Sequence, residues 1–345
     1  MAGTRALSRD RRIEGRLVQL ARRVAPWIIA AAIAVFIFAR VDVRQVAACI
    51  TRVNAPAYLG TIFTFTALVL VLDALATSRL FRTIGADATF ATVLVVRGAS
   101  YLLGVVNYHA GQAHLTLLLT RMYRMPLLRV AGGTLVTYLT VLGALVVLAS
   151  PTLLPIGDHA AWITRTAAMS LGGSVLYLLV IAARPKLLSR WALLGVLVEL
   201  GVLGHLRLLA WRLPHVAMLV LENWVAYRFF GVTIPPAQSV TSLSIVLLVS
   251  ALPITPMGIG TRELAAVALL APFAHGVTSG DRAASVVAAG ATLATTTTIS
   301  QFLIGLAFVR RGARIIAPLA AAAEPERITA AEDSSARPRT ESSAG

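Results

Sequence analysis

This chain is short of charge, of cysteine and of lysine, and each shortage narrows what it can be. Only 13% of the sequence is charged while 57% is hydrophobic. Several apolar runs approach the length of a membrane span, so a polytopic membrane protein is expected rather than a soluble domain. Cys49 is the single cysteine, which excludes an intramolecular disulfide and leaves the redox compartment unmarked. The net charge of +16 comes almost entirely from arginine. In a soluble protein that excess would suggest nucleic acid. Here the arginines fall in the tails and between apolar runs, so the sign reports membrane orientation and contact with anionic lipid, and no nucleic-acid partner is expected. The Ala- and Arg-rich, Lys-poor composition points to a bacterium with a GC-rich genome. Also missing are a nucleotide-binding loop, a serine or cysteine triad signature and an acidic pair in an outer loop of the kind a polyprenyl-dependent glycosyltransferase uses. His109 and His114 have no Cys or carboxylate cluster near them to complete a metal site. No cofactor and no catalytic residue are expected, and the chain reads as a non-enzyme.

The apolar runs and their arginines predict about six full spans. Residues 1–23 form a basic segment, with Arg22 and Arg23 placing the N-terminus in the cytoplasm. The predicted spans are Val24–Ala39, Tyr58–Ser78, Val130–Ala149, Thr166–Ala183, Leu213–Phe230 and Ala283–Val309. Asp73, near the inner end of the second, reads as a snorkelling or Arg-paired carboxylate. Trp191–Trp211, interrupted by Glu199, His205 and Arg207, is either a cytoplasmic interfacial helix or a short tilted span. Gly132-Gly133 and Gly172-Gly173 suggest close helix packing. Residues 313–345 lack apolar periodicity and read as a disordered cytoplasmic tail. The transmembrane domain is then 24–312, with both termini inside a bacterial inner membrane.

Two segments do not fit a simple crossing. Leu252-Pro-Ile-Thr-Pro-Met-Gly-Ile-Gly-Thr-Arg-Glu263 lies between the apolar runs Ser239–Ala251 and Leu264–Ala271. Each run is shorter than the roughly 20 residues a span needs, and the prolines and glycines cannot carry one helix through. Broken backbone at membrane depth must be buried in protein or line a wet cavity. The other segment runs from Ala91–Val106, which contains Arg97, through Asn107-Tyr-His-Ala-Gly-Gln112 into Ala113–Leu119. Arg121, Arg124 and Arg129 follow, and a dip that returns keeps them on the positive side. Both segments are therefore expected to be re-entrant broken-helix hairpins entering from opposite faces. The order span, hairpin, span then occurs twice, over 58–149 and 213–309, as in an inverted repeat with its site where the hairpins meet.

The stretch Leu252–Glu263 resembles the "LPxSPGGxGxxE" segment of the flippase-like family, which includes the membrane region of lysylphosphatidylglycerol synthases and stand-alone proteins of unassigned function. Asn107–Gln112 with Arg121 resembles that family's "N-x-x-x-P-x-R-x-G-E…R" segment, without its proline and with Gln112 in place of Glu. Thr137-Tyr138-Leu139-Thr140 stands where the family has "E-R-x-x-D". The resemblance covers residues 20–312. It implies a lipid translocator without the soluble aminoacyl-transfer domain of the synthases, making no lysyl lipid. The alternative is a non-transporting membrane partner of a lipid- or glycan-modifying enzyme.

A translocator needs a polar groove for a headgroup, and the expected substrate is an anionic or zwitterionic membrane lipid. Arg97 and Arg262 suit a phosphate, and Glu222 or Glu263 would balance them or meet a cationic headgroup. Asn107, Gly111 and Gln112 belong to the first hairpin. Pro253, Pro256, Gly258 and Gly260 would hold the unwound backbone of the second. The competing reading makes Arg97, Glu222, Arg262 and Glu263 buried ion pairs, or Glu263 a helix-dipole partner. Thr295–Thr298, Ser300 and Gln301 form a polar stripe that either bonds its own helix or lines a groove.

Overall fold

A computed structural model describes residues 43–106, 108–153, 161–251 and 260–336. The predicted first span, Asn107 and residues 252–259 lie outside them. The described residues are helical, with one isolated β-bridge, so the protein is an all-α polytopic membrane protein. In chain order the helices are α1 (Val43–Thr51), α2 (Ala55–Thr83), α3 (Phe90–Val106), α4 (Tyr108–Tyr123), α5 (Leu127–Ala149), α6 (Ala161–Ala183), the short α7 (Lys186–Ser189), α8 (Ala192–Phe229), α9 (Pro236–Ala251), α10 (Thr261–Leu270) and α11 (Ser279–Ala336). Five of them (α2, α5, α6, α8 and α11) are long and apolar enough to cross a membrane, while α3 and α9 are shorter apolar helices. These are the five predicted spans that fall within the described residues.

Two boundaries and one glycine pair differ from expectation. Trp191–Trp211 is neither a separate interfacial helix nor a span of its own. Residues 192–200 lead into a kink at Gly201 (φ 59°), and one helix then continues through Pro214 to Phe229. The chain from 313 to 336, expected to be disordered, continues α11 as helix. Its alanine, glutamate and arginine are strong helix formers, and the missing apolar stripe removes a packing face rather than helix propensity. Gly132 and Gly133 do meet their neighbours closely, a Cβ on Gly132 falling 2.5 Å from the carbonyl of Leu193, but Gly172 and Gly173 face open space.

Helix α2 begins where Asn54 accepts a capping hydrogen bond from the Ala57 N–H at 3.2 Å, with Pro56 in its first turn. It ends in a turn that recurs 146 positions later, at the end of α8. Gly85 (φ 95°) and Gly231 (φ 74°) both sit in the left-handed region that favours glycine. Gly85 donates to Arg82 and Ala86 to Phe81, just as Gly231 donates to Arg228 and Val232 to Tyr227. The residues match too, Phe81-Arg82-Thr83-Ile84-Gly85 against Tyr227-Arg228-Phe229-Phe230-Gly231.

Packing repeats the correspondence. Helix α3 folds back on α4 as α9 does on α10; α3 packs on α11 as α9 packs on α5; α5 meets α8 as α11 meets α2. Each fold-back pair is closed at its base. Arg129 donates to the Ile84 carbonyl at 3.3 Å on either side of α3–α4, and Val232 bridges Ala274 on either side of α9–α10. The first helices of the two units, α2 and α8, lie antiparallel. Tyr58 meets Phe229, Thr66 meets Glu222, and Asp73 meets Arg212. One unit is therefore inverted relative to the other.

Two apolar clusters close the ends of this arrangement. One gathers Tyr58, Ile62, Val220, Tyr227 and Leu270, the other Phe81, Val93, Leu119, Val136 and Leu208. Along α2 and α8 the buried residues in the middle of the bundle include a polar set, Thr66, Asp73, Arg212, His215 and Glu222.

Candidate functional site

Asp73 is the centre of the polar layer. It is 3% exposed and receives two guanidinium groups, Nε of Arg97 from α3 and Nη1 of Arg212 from α8. Arg212 also reaches Thr77, one turn beyond Asp73, at 3.5 Å. The spacing explains the convergence. Asp73 and Thr77 lie four apart, and Arg212 and His215 three apart, so each pair shares a helix face. Burial of two cations with one anion is costly, which marks the site as more than packing.

Beside this network lies a cavity of about 260 Å³. Asp73, Arg97, Ser100, Gln112, Tyr138, His215 and Gln301 supply its polar wall, and Gly111 lets α4 approach the Gly104 backbone of α3 at its edge. A Cβ on Gly111 would fall 2.9 Å from the Gly104 backbone. The His215 Nδ1 is buried and has no hydrogen-bond partner among the described residues, so the cavity holds a polar atom ready for a ligand. All six helices that build it belong to the paired units, and the first fold-back pair contributes Arg97, Gly111 and Gln112 together.

The residues predicted around the second pair form a separate cluster. Glu222, 3% exposed, accepts from Thr66 at 3.1 Å. It lies on α8 two turns from His215, roughly 10 Å along the axis. Arg262 donates through Nη2 to Asn223 at 3.0 Å, and its Nε is buried without a hydrogen-bond partner among the described residues. Glu222 and Arg262 are close enough for their charges to interact, and the hydroxyl of Tyr58 lies in the same field, without a hydrogen-bond partner among the described residues. Glu263 points elsewhere. Its carboxylate accepts the Gly260 N–H at 2.8 Å, capping its own helix while Gly260 (φ 86°) turns the chain into α10. The charge of Glu263 near a helix N-terminus is thus used locally. Pro253, Pro256, Gly258 and Asn107 lie outside the described residues. The structure brings Arg97, Gly111 and Gln112 into one cavity and Glu222 and Arg262 into another cluster, with Glu263 in neither.

Three central groups, Asp73 as a shared acceptor, Arg212 and His215, escape sequence reasoning as a site. The readable signal was one carboxylate on an apolar helix and two basic residues at a helical spacing on another. What pairs them is the antiparallel register of α2 against α8, which no local pattern contains. Gln301 realises the groove-lining reading of the polar stripe on α11, whereas Thr295 and Thr298 bond carbonyls of their own helix.

Residues 23–305 match the family model described as the lysylphosphatidylglycerol synthase TM region. The chain belongs to this family. The match spans both inverted units and every residue of the cavity wall. No curated protein and no solved structure matches the chain.

Proposed function

We propose that this family member moves a polar lipid between the leaflets of a bacterial inner membrane, with both termini in the cytoplasm, and catalyses no chemical step. The headgroup enters the cavity beside Asp73, Arg97 and His215, and the acyl chains stay in lipid. The single observation that carries this reading is a polar, partly unsatisfied cavity between two apolar clusters in the interior of a bundle that belongs to a lipid-related membrane family. An apolar groove of about 440 Å³ lies on the other face of α5, between α6 and α8, and suits acyl chains. The fold-back pairs α3–α4 and α9–α10 are read as re-entrant hairpins entering from opposite sides, because each leaves and returns at one place. Inverted units of this kind open a site alternately to the two faces. Arginine recognises a lipid phosphate through its planar fork, so an anionic or zwitterionic headgroup fits.

The test is lipid movement in proteoliposomes. Fluorescent phospholipids are reconstituted with purified protein, the outer leaflet is quenched chemically, and loss of the protected pool is timed. Wild type is expected to accelerate that loss, Arg97→Gln to abolish the acceleration, and Arg97→Lys to retain part of it. Equal acceleration by wild type and Arg97→Gln would sink the site. No movement with any headgroup, in folded protein, would favour a non-transporting partner of a lipid- or glycan-modifying enzyme.

A further inference from the structure

A second basic feature stands apart from the interior cavity, at the end of the bundle where α2 finishes and α5 begins. There the last turn of α2, the first turn of α5 and α8 around its kink enclose a space of about 660 Å³. Arg79, Arg82, Arg129 and Arg207 line it, with one carboxylate, Glu199. That carboxylate is already engaged by Arg129 at 2.8 Å, and Arg129 is further fixed by the Ile84 carbonyl. Arg79 lies 4.4 Å from the centroid of the Trp211 ring, and its Nε is buried with no acceptor among the described residues. Arg82 and Arg207 are exposed and form no ion pair among the described residues. Three guanidinium groups therefore converge on one space without a carboxylate of their own. Like charges held together repel unless an anion sits among them. Their forks match the oxygens of a phosphate better than a lone carboxylate's two.

The rim has the opposite character. Leu203 is 60% exposed and Trp211 41% exposed, so an arginine-lined floor opens past apolar side chains. The volume is within the range of small-molecule sites. Tryptophan at such a boundary is typical of the level of lipid headgroups.

We propose that this cavity binds a phosphate group, with Arg79, Arg82 and Arg207 on its oxygens and Leu203 and Trp211 against the apolar part attached to it. Two sources carry that chemistry, a lipid headgroup and a soluble phosphate. Binding here requires no movement of lipid, so the site stands or falls independently of the transport reading.

The experiment is native mass spectrometry of the full chain in lipid-free detergent, titrated with a short-chain phosphatidate, the matching diacylglycerol and inorganic phosphate. Three proteins are compared. These are wild type, Arg82→Gln with Arg207→Gln, and Arg310→Gln with Arg311→Gln, which removes equal charge outside the cavity. All four substituted side chains are exposed, so packing is spared. Wild type and the Arg310/Arg311 control are expected to bind phosphatidate saturably. The cavity variant should bind at least about tenfold more weakly, the scale of one lost charge-assisted hydrogen bond. Diacylglycerol should bind none of them. Equal affinity in all three proteins, or equal binding of diacylglycerol, overturns the proposal. Displacement of phosphatidate by inorganic phosphate at similar concentration assigns the site to a soluble phosphate; failure to displace it assigns the site to a lipid.

Discussion

Replacing Asp73 by Asn keeps the side-chain volume and removes one charge. In the native protein that carboxylate accepts from Nε of Arg97 and Nη1 of Arg212, and it is 3% exposed while Arg212 is 2% exposed. An amide offers one oxygen and turns its NH2 toward a donor, so at least one guanidinium loses its partner in a place where water cannot replace it. Breaking one side of a buried ion pair costs about 3–5 kcal/mol. Neutral hydrogen bonds inside a bilayer are worth far less, about 0.6 kcal/mol on average, so charge is what sets this expectation near 3 kcal/mol. Reversible unfolding in mixed SDS micelles measures it. The second arm is Asp73→Asn combined with Arg212→Leu. Removing the orphaned cation should restore at least about 1 kcal/mol relative to Asp73→Asn alone, a non-additivity typical of residues in direct contact. A loss below about 1 kcal/mol in the single variant, or strict additivity in the pair, would refute the view of Asp73 as the shared counter-ion of two buried arginines.

The packing of the first fold-back pair predicts an asymmetry between two glycines. Gly111→Ala places its methyl 2.9 Å from the Gly104 backbone and should cost about 1–3 kcal/mol by overpacking, whereas Gly104→Ala meets open space and should be near neutral in the same unfolding assay. At the repeated turn, Gly85→Ala and Gly231→Ala should each lower stability by about 1–2 kcal/mol, the cost of a Cβ in the left-handed region; two substitutions without effect on thermal melting would contradict the turn geometry. Glu263→Gln keeps an acceptor for the Gly260 N–H and should lose less than about 1 kcal/mol with lipid movement intact. A collapse of movement at unchanged stability would return Glu263 to the site.

Much of this architecture could be read from composition. Proline and glycine mark where an apolar run stops short of a span, and arginine marks the end at which it stops, so both fold-back pairs and the span, pair, span order were visible. The pairing of Asp73 with arginine was visible as well, because an isolated carboxylate on a helix as apolar as α2 has few alternatives. Which arginine was not visible. Arg212 lies at the edge of an apolar run, and only the register of α2 against α8 brings it to Asp73. The duplicated turn had a readable trace in Phe81-Arg82 and Tyr227-Arg228, each followed by glycine three positions later, yet so short a match gains weight only once both glycines are seen at positive φ. Glu263 was ambiguous for the opposite reason. A carboxylate in a first helical turn serves either a ligand or its own backbone, and sequence treats the two alike.

Helix α6 belongs to neither inverted unit, and counting crossings explains why it exists. The first unit leaves one end of the bundle on α2, turns at α3–α4 and comes back on α5, so it finishes at the end where it started. The second unit must start at the opposite end, since α8 runs against α2. An odd number of further crossings is therefore obligatory, and α6 is that crossing. Its 23 residues reach about 34 Å, enough for a hydrocarbon layer of about 30 Å. Only 11% of its apolar window is buried inside the protein. Apart from a few inward contacts, such as the Tyr177 hydroxyl with His205 at 2.7 Å, its task is set by parity, so its outward positions should accept other apolar residues while its deletion should not be tolerated. Without it the second unit would emerge the right way up, and the arginine of α8 would never meet the aspartate of α2.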